Sequence, residues 1–212
     1  LCPSLHKGEP MTDRLTNRLN QILPRITSDE FLTGSGIGNE IAFHIFDYPP
    51  EDELRVREHI DFLLEHIPRR KPSLRVKHVN LFDFLLDYLR ERGLLDKSLK
   101  LQREKGDIAL LKALKGVLAE DKLARRFGEV AEPHEHDLVL ISGVGSAYPL
   151  LRSHTLLNNL HSVMGQTPLV MFYPGNYDQT SLRLFGKSNT SGPGPSSRKR
   201  QANYYRAFRL ID

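Results

Sequence analysis

The sequence predicts an α/β fold: a single domain with a mostly parallel central sheet, flanking helices and a C-terminal β-hairpin. The clearest indication comes from two short apolar runs without polar alternation, LVLIS at 138–142 and PLVMFY at 168–173, which are typical of strands buried on both faces. An amphipathic segment lies between them, with Pro149 near its first turn and Gly165 just past its end. A strand, a helix and a strand within about 40 residues form a βαβ unit, which joins parallel strands.

The N-terminal part of the chain begins this alternation of helices and strands. A first helix is predicted from the helical spacing of Leu15, Leu19 and Ile22, and Pro24 is expected to end it. The run IAFHIFDY at 41–48 is rich in β-branched and aromatic residues and is predicted to be the first strand.

Three more helices and one strand are expected before the βαβ unit. The first of these helices ends at Pro68, and the strand at 74–79 follows it. Asn80 is a suitable N-cap for the next helix, which stops at Gly93. The last helix lies near 106–127, and its spacing predicts that the following apolar residues point inward: Ile108, Leu111, Leu114, Leu118 and Phe127.

The C-terminal part holds two strand-like runs, SLRLF at 181–185 and ANYYRAFRL at 202–210, which predict the β-hairpin. The Gly, Ser and Pro residues between them predict a flexible loop at about 186–202. Residues 1–10 show no periodicity and are expected to be a disordered or non-native extension, so the single α/β domain covers 11–212.

Composition limits the classes of function. The single cysteine, Cys2, excludes an intrachain disulfide and fits a reducing cytoplasm, and no apolar run reaches the ~18 residues of a membrane span. We therefore expect a cytoplasmic protein without a membrane partner. Residues 186–212 hold six basic residues and one acidic residue, a local charge of +5, so the other residues sum to −1 of the total of +4. DNA contact is accordingly expected to be indirect or weak.

Two glycine-rich motifs invite a nucleotide-binding interpretation. GSGIG at 34–38 precedes a strand, whereas a dinucleotide fingerprint follows one, so a structural turn is favoured. GVGS at 143–146 has the right context, and its amides could hold an anion with help from Arg152. However, Tyr148 occupies the place of the third fingerprint glycine and no P-loop lysine follows, so a tight turn is the alternative.

One constellation is a candidate ligand or partner cleft. In an open parallel sheet the carboxyl ends of the strands form the usual binding crevice, and several polar residues and glycines flank predicted strands at such positions. The alternative is that Asp and Gly simply recur in turns. The sequence indicates no catalytic residue, no metal site and no cofactor. The candidate cleft consists of Asn39, Glu40, Asp47, Gly143, Gly145, Ser146, Arg152 and Gly175.

Several stretches together carry a family resemblance that extends from about residue 12 to the C-terminus. They are GIGNEIAFHIFDYPPEDELRVREHI, VNLFDFLLDYLRERG, LVLISGVGSAYPLLRSHTLLNNL, PLVMFYPGNYD, LRLF and NYYRAF. In their order and combination they resemble the BrxB family, a component of BREX bacteriophage-resistance systems. The loop at 186–202 looks longer than the connection usual in that family.

The resemblance implies a function rather than a chemistry. BrxB-like proteins are encoded beside PglZ, of the alkaline-phosphatase superfamily, the methyltransferase PglX and the ATPase BrxC. The resemblance implies a non-catalytic adaptor of a phage-defence complex, with PglZ as the favoured direct partner ahead of PglX and BrxC. Tyr204, Tyr205 and Arg206 are a candidate interface because Tyr and Arg are enriched at interfaces, although core packing is the alternative. A nucleotide- or anion-binding regulatory domain with a degenerate phosphate loop remains the alternative function.

Overall fold

The computed structural model describes residues 13–34, 43–179, 181–185 and 207–212. The predicted extension at 1–10, the loop at 186–202 and the candidate residues Asn39, Glu40, Tyr204, Tyr205 and Arg206 lie outside these ranges. The α-helices of the described ranges are α1 (Arg14–Ile26), α2 (Asp29–Thr33), α3 (Glu53–Arg70), α4 (Leu81–Glu91), α5 (Leu95–Leu114), α6 (Glu120–Ala131), α7 (Val144–Ala147) and α8 (Ser153–Met164).

Six strands of the described ranges form one sheet. They are β1 (Phe43–Tyr48), β2 (Val76–Asn80), β3 (Leu138–Ser142), β4 (Leu169–Tyr177), β5 (Leu182–Leu184) and β6 (Ala207–Arg209). Five of them are parallel in the order β2-β3-β4-β1-β6, and β5 pairs with β4 in the antiparallel direction. The predicted α/β fold with a parallel central sheet is therefore confirmed.

The C-terminal β-hairpin is a wrong prediction. The described part of the 181–185 run, β5, turns back on β4 and pairs Leu184 with Gly175. The described part of the 202–210 run, β6, pairs in parallel with β1, matching Ala207 to Phe43. Composition marked both runs as strands but carried no information about their partners. The edge of β1 opposite β4 accepts β6, and this position also buries Leu210 in the core.

The two faces of the sheet are covered by different helices. Phe46 and Phe172 point to the face covered by α1 and α3, whereas Ile45 and Met171 point to the face covered by α4, α6 and α8. Side chains of one strand alternate between the faces because a strand repeats every two residues. Both faces are apolar, which explains why the central strands are continuous hydrophobic runs rather than alternating ones.

The sheet positions a crevice beside β1. The connection from β1 to β2 passes through α3 on one face of the sheet and runs towards the β2 edge. The connections from β2 to β3 and from β3 to β4 lie on the other face and run back towards β1. Ligands of open α/β sheets bind outside the carboxyl ends of strands where the direction of the connections changes. The carboxyl ends of β1 and β4 lie at this point.

The helix predicted near 106–127 is a wrong prediction. Two helices cover it, α5 and α6, and Gly106 inside α5 has non-helical angles of φ 76° and ψ 178°. This kink changes the face that the following residues present, so Ile108 is 85% exposed instead of pointing inward. Leu114, Leu118 and Phe127 are buried as predicted.

Two prolines do not end the helices as expected. Pro24 and Pro68 lie inside the last turns of α1 and α3, each two residues before the helix end. Within the described residues no helix is both long enough and apolar enough to cross a membrane.

Candidate functional site

A cavity of about 340 Å³ opens at the carboxyl ends of β1 and β4. Two residues of the predicted cleft, Asp47 and Gly175, line it. The start of α1 and the segment from Arg209 at the end of β6 to Asp212 form the other walls, so four distant parts of the chain meet here. The lining residues are Asp13, Arg14, Leu15, Arg18, Asp47, Tyr48, Pro49, Asp52, Gly175, Asn176, Arg209 and Asp212.

Asp47 is the central charged group of this cavity. Its side chain is only 9% exposed, and its Oδ1 lies 2.8 Å from Nη2 of Arg18. Its Oδ2 accepts a hydrogen bond from the backbone N–H of Tyr177 at 3.0 Å and lies 3.5 Å from Nη2 of Arg209. A buried carboxylate needs such partners, because leaving it unpaired costs several kcal/mol. Asp47 is thus neutralised by the protein itself.

The two arginines are held in place by contacts besides Asp47. Arg18 donates to the backbone oxygens of Asp47 at 2.7 Å and Ile211 at 3.1 Å, and its guanidinium lies 4.7 Å from the ring centroid of Phe46. Arg209 donates to the backbone oxygen of Tyr177. Within the described residues both Nε atoms are buried and have no hydrogen-bond partner. Each arginine therefore has one donor that is enclosed by the protein and does not reach solvent.

The glycines of GVGS are explained by packing. Gly143 has φ 70°, a left-handed conformation that glycine adopts without strain, and a Cβ here would overlap Oδ1 of Asn80. Gly145 passes close to β4 and β5, since its Cβ would lie 3.1 Å from Cγ of Pro174 and 3.2 Å from Cε1 of Phe185. These contacts account for both glycines without a bound anion.

The other two residues predicted around GVGS lie apart from the cavity. Ser146 is exposed and accepts a hydrogen bond from Nη2 of Arg57 at 3.3 Å. Arg152 is exposed and precedes α8 rather than lying in the helix that GVGS opens, because that helix, α7, has only four residues. The single helix predicted between the two strands is therefore split, and Pro149 lies between the two parts.

The structure brings the predicted cleft together only in part. Asp47 and Gly175 share the cavity, and Gly145 contacts β4 through Pro174. Gly175 itself allows β5 to approach, because a Cβ there would overlap the backbone oxygen of Arg183. Gly143, Ser146 and Arg152 do not line the cavity.

The functional partners that the sequence did not reveal are Arg18, Tyr177 and Arg209. They lie 29, 130 and 162 positions from Asp47, and nothing in the local pattern joins them to it. Arg18 is a polar residue on the amphipathic helix α1, which is typical of a solvated face. Only the fold places it over the end of β1.

An exposed aromatic pair stands beside the GVGS turn. The rings of Tyr148 and Phe185 meet edge to face with centroids 6.1 Å apart, and they are 46% and 40% exposed. Phe185 has φ 55°, which is unusual for a residue with a side chain, and its N–H donates to the backbone oxygen of Pro174 at 3.0 Å. We call Tyr148 and Phe185 the aromatic patch.

A polar chain extends between α3 and the GVGS turn. Glu53 accepts hydrogen bonds from the hydroxyl of Tyr48 at 2.6 Å and from Nε of Arg57 at 3.0 Å. Burial, helped by the neighbouring carboxylate, raises the pKa of Tyr48 well above its ordinary value. Tyr48 therefore stays a neutral donor, and Arg57 is oriented towards Ser146.

A larger cavity of about 430 Å³ lies at the opposite edge of the sheet, where β3 and β4 begin. Its lining includes Asp29, Lys71 and Asp137. Asp137 is paired with Arg75 at 3.1 Å, and this hydrogen-bonded arginine lowers the pKa of Asp137. Although this cavity is larger than the one beside Asp47, it is the weaker candidate for a ligand site, because ligands of open parallel sheets bind at the carboxyl ends of the strands. The described residues contain no group of three or more His, Cys, Asp or Glu suited to a metal.

Comparison with known proteins gives a consistent result. A family model described as BREX protein BrxB matches residues 77–210. The BREX protein BrxB of Bacillus cereus (strain H3081.97) is 40% identical over 203 residues, covering 94% of this chain and 98% of that protein. The chain belongs to the BrxB family. The BrxB of Escherichia coli O9:H4 (strain HS) is also 40% identical, over 93% of this chain and 92% of its own length. No solved structure matches this BrxB-family chain.

Proposed function

We propose that this chain is a non-catalytic adaptor of a BREX phage-defence complex and that PglZ docks on it directly. Membership of the BrxB family makes it a BREX component that acts with other BREX proteins. The finer role rests on the surface at the carboxyl edge of the sheet. PglX and BrxC are the next proposed partners, ranked after PglZ.

The observation that carries the proposal is the aromatic patch. Tyr148 and Phe185 expose large ring surfaces, and Arg57 lies beside them through its hydrogen bond to Ser146. Aromatic residues and arginine are enriched in the energetic centres of protein interfaces because they bury much area with few rotatable bonds. The ring of Phe185 also packs closely against the backbone of Gly145, which restricts its motion before a partner docks.

The geometry of Asp47 supports a structural role for that residue within this proposal. A general base must reach a substrate, whereas both carboxylate oxygens of Asp47 are already occupied by Arg18, Tyr177 and Arg209. The network joins α1, β1, β4 and β6. We assign it to holding the edge of the sheet in the shape that presents the aromatic patch.

Co-purification tests the proposal. The full chain would be co-expressed with the neighbouring PglZ, PglX and BrxC proteins and compared with Tyr148→Ala and Phe185→Ala variants. The variant that carries both substitutions loses both aromatic rings and is expected to retain PglZ at least tenfold more weakly, as removal of central interface residues does. Phe62→Ala is the matched control, because Phe62 is 41% exposed on α3, away from the patch. A chain that stays alone with all three proteins would contradict the proposal.

A second candidate function is anion binding in the cavity beside Asp47. Three arginines that line this cavity, Arg14, Arg18 and Arg209, favour it, and they move the candidate position from GVGS to this cavity. Calorimetry with ATP, GTP and inorganic phosphate, each at millimolar concentration, tests this alternative. Heat that disappears in an Arg209→Gln variant would support it, and no heat with any of the three would reject it.

A further inference from the structure

Helix α5 is the most exposed long element of the described chain. Of its 20 residues, Leu95–Leu114, only Ser98 and Leu114 are buried. A helix of this length in a globular domain ordinarily buries one apolar stripe. Here the outward side also carries apolar residues, which raises the question of what covers them.

The first half of α5 presents one apolar and one basic side chain together. Leu99 is 42% exposed, and the exposed Arg103 follows four residues later, so both lie on the same outward face. Lys100 adjoins them and is paired with Glu104 at 3.9 Å.

The second half, beyond the kink at Gly106, repeats this arrangement. Ile108 is 85% exposed, and the exposed Lys112 and Lys115 follow at four and seven residues, which places all three on one face. Leu110 and Leu114 occupy the opposite, core-facing side. The kink thus joins two short faces of the same composition. We call Leu99, Arg103, Ile108, Lys112 and Lys115 the basic face.

The charges of this segment are unbalanced. Residues 95–115 hold six basic residues and three acidic ones, a net charge of +3. The acids are partly occupied within the segment, since Glu104 pairs with Lys100 and Asp107 accepts a hydrogen bond from Gln102 at 2.9 Å. The described residues provide no ion pair for the five remaining bases, Lys97, Arg103, Lys105, Lys112 and Lys115.

We infer that the basic face of α5 is a docking surface for an acidic protein partner, one whose apolar pocket is rimmed by Asp and Glu residues. Negative charge on a partner would complement the exposed cations, and an apolar pocket beside that charge would remove Ile108 and Leu99 from water, as in the docking of an amphipathic helix face. Nucleic-acid backbone would satisfy the cations and leave the isoleucine and leucine in water. Residues 1–94 and 116–185 sum to −4, but a second copy is a poorer match because most of the described acidic residues there already pair with bases of their own chain.

This inference goes beyond the proposed function because it concerns a different surface with different chemistry. The aromatic patch lies at the carboxyl edge of the sheet, whereas α5 packs on α4 on the outside of one helical layer. A chain with both surfaces could hold two proteins together, one on each.

Photo-cross-linking in the native setting tests the inference. A photoreactive amino acid would replace Ile108 in the full chain, in cells that carry the whole operon, and the adduct would be located by mass spectrometry. The expected adduct is a peptide of another protein, with Asp and Glu flanking an apolar residue. The same substitution at Leu54, which is 70% exposed on α3, is the control.

Purified chain and the cross-linked protein would then be titrated at increasing salt. Lys112→Glu with Lys115→Glu is expected to weaken binding at least tenfold, and Ile108→Ser about tenfold, with unchanged thermal melting because all three residues are exposed. Leu54→Ser should change binding less than twofold.

Three results would overturn the inference: an adduct with nucleic acid, an adduct with a second copy, or no adduct at position 108. An adduct with a peptide lacking acidic residues would also contradict it. The same reagent placed at Tyr148 reports on the proposed function separately, so failure of either surface can be recognised without the other.

Discussion

At the scale of single residues, the carboxylate of Asp47 illustrates how a buried charge is satisfied. Its two oxygens face two guanidinium groups and one backbone N–H, with distances of 2.8, 3.5 and 3.0 Å. Such a group stabilises the fold less through attraction than through the cost of leaving its partners unpaired. Removing the Asp47 carboxylate should therefore lower the stability of the fold more than the loss of one side chain's buried area would.

Asp47→Ala is expected to lower the free energy of unfolding by about 3 kcal/mol, because Arg18 and Arg209, whose side chains are 14% and 27% exposed, would keep partly buried charges without their carboxylate partner. Urea denaturation measures the change. Asp87→Ala is the control, since Asp87 forms only an exposed i,i+3 pair with Arg90 and should change stability by about 0.5 kcal/mol or less. Equal losses in the two variants would contradict the buried network.

Gly143→Ala should destabilise the chain more than Gly93→Ala. Both glycines have positive φ, 70° and 64°, so alanine pays similar backbone strain of ~1–2 kcal/mol at each. A Cβ at Gly93 meets nothing within 4 Å, whereas one at Gly143 overlaps Asn80. The difference between the two variants in chemical denaturation isolates this close approach. Indistinguishable midpoints would mean that Asn80 simply moves away.

At the scale of elements, Asn80 connects β2 to α4 and also fills the space above Gly143. It ends β2, and its Oδ1 accepts hydrogen bonds from the N–H groups of Phe82 at 3.0 Å and Asp83 at 3.4 Å. The tight approach of β3 to this cap explains the glycine at the first position of GVGS. GVGS resembles a phosphate loop, but its first glycine allows the end of β3 to pack against Asn80, which joins β2 to α4.

Asn80→Ala is expected to cost about 1 kcal/mol through the lost helix cap. The same substitution should lower the cost of Gly143→Ala, because the overlapping side chain is gone. A double-mutant cycle measures this coupling, expected at about 0.5 kcal/mol or more. If the losses in the free energy of unfolding were additive, the side chain of Asn80 would not be the group that makes Gly143→Ala costly.

At the scale of the whole molecule, the sequence predicted the layers of the fold better than their connections. The runs at 138–142 and 168–173 were recognised as buried strands because strands covered on both faces are apolar throughout. The pairing of β6 with β1 was missed because strand partners far apart in the chain leave no local pattern. Asp47 was found from its place at the end of a strand, but Arg18 and Arg209 come from remote elements and only the fold brings them together.

Three histidines predict how stability of the whole chain depends on pH. Burial lowers the pKa of His59, His78 and His161, and His78 also shares a 2.8 Å hydrogen bond with Ser142. The unfolded chain therefore binds protons at a higher pH than the folded chain does. Stability should be complete above the unfolded pKa of about 6.5 and fall as the pH decreases through the lower folded values.

Denaturation midpoints between pH 8 and pH 5 measure this dependence. His78→Gln should flatten the slope below pH 6.5, because one of the three groups no longer takes up a proton on unfolding. His134→Gln, at an exposed histidine, is the control for the substitution itself. A slope that His78→Gln does not alter would assign the dependence to other groups.

The bond between Arg18 and the backbone oxygen of Ile211 has a consequence during synthesis of the chain on the ribosome. These partners are 193 positions apart, and β6 covers the edge of β1 only after residues 49–206 have been made. Once β4 has been made, β1 can pair with it on one side, while the other edge of β1 stays open until β6 follows. An apolar strand with an open edge is prone to pair with another chain. β6 thus covers the edge of β1 at which nascent copies would otherwise aggregate.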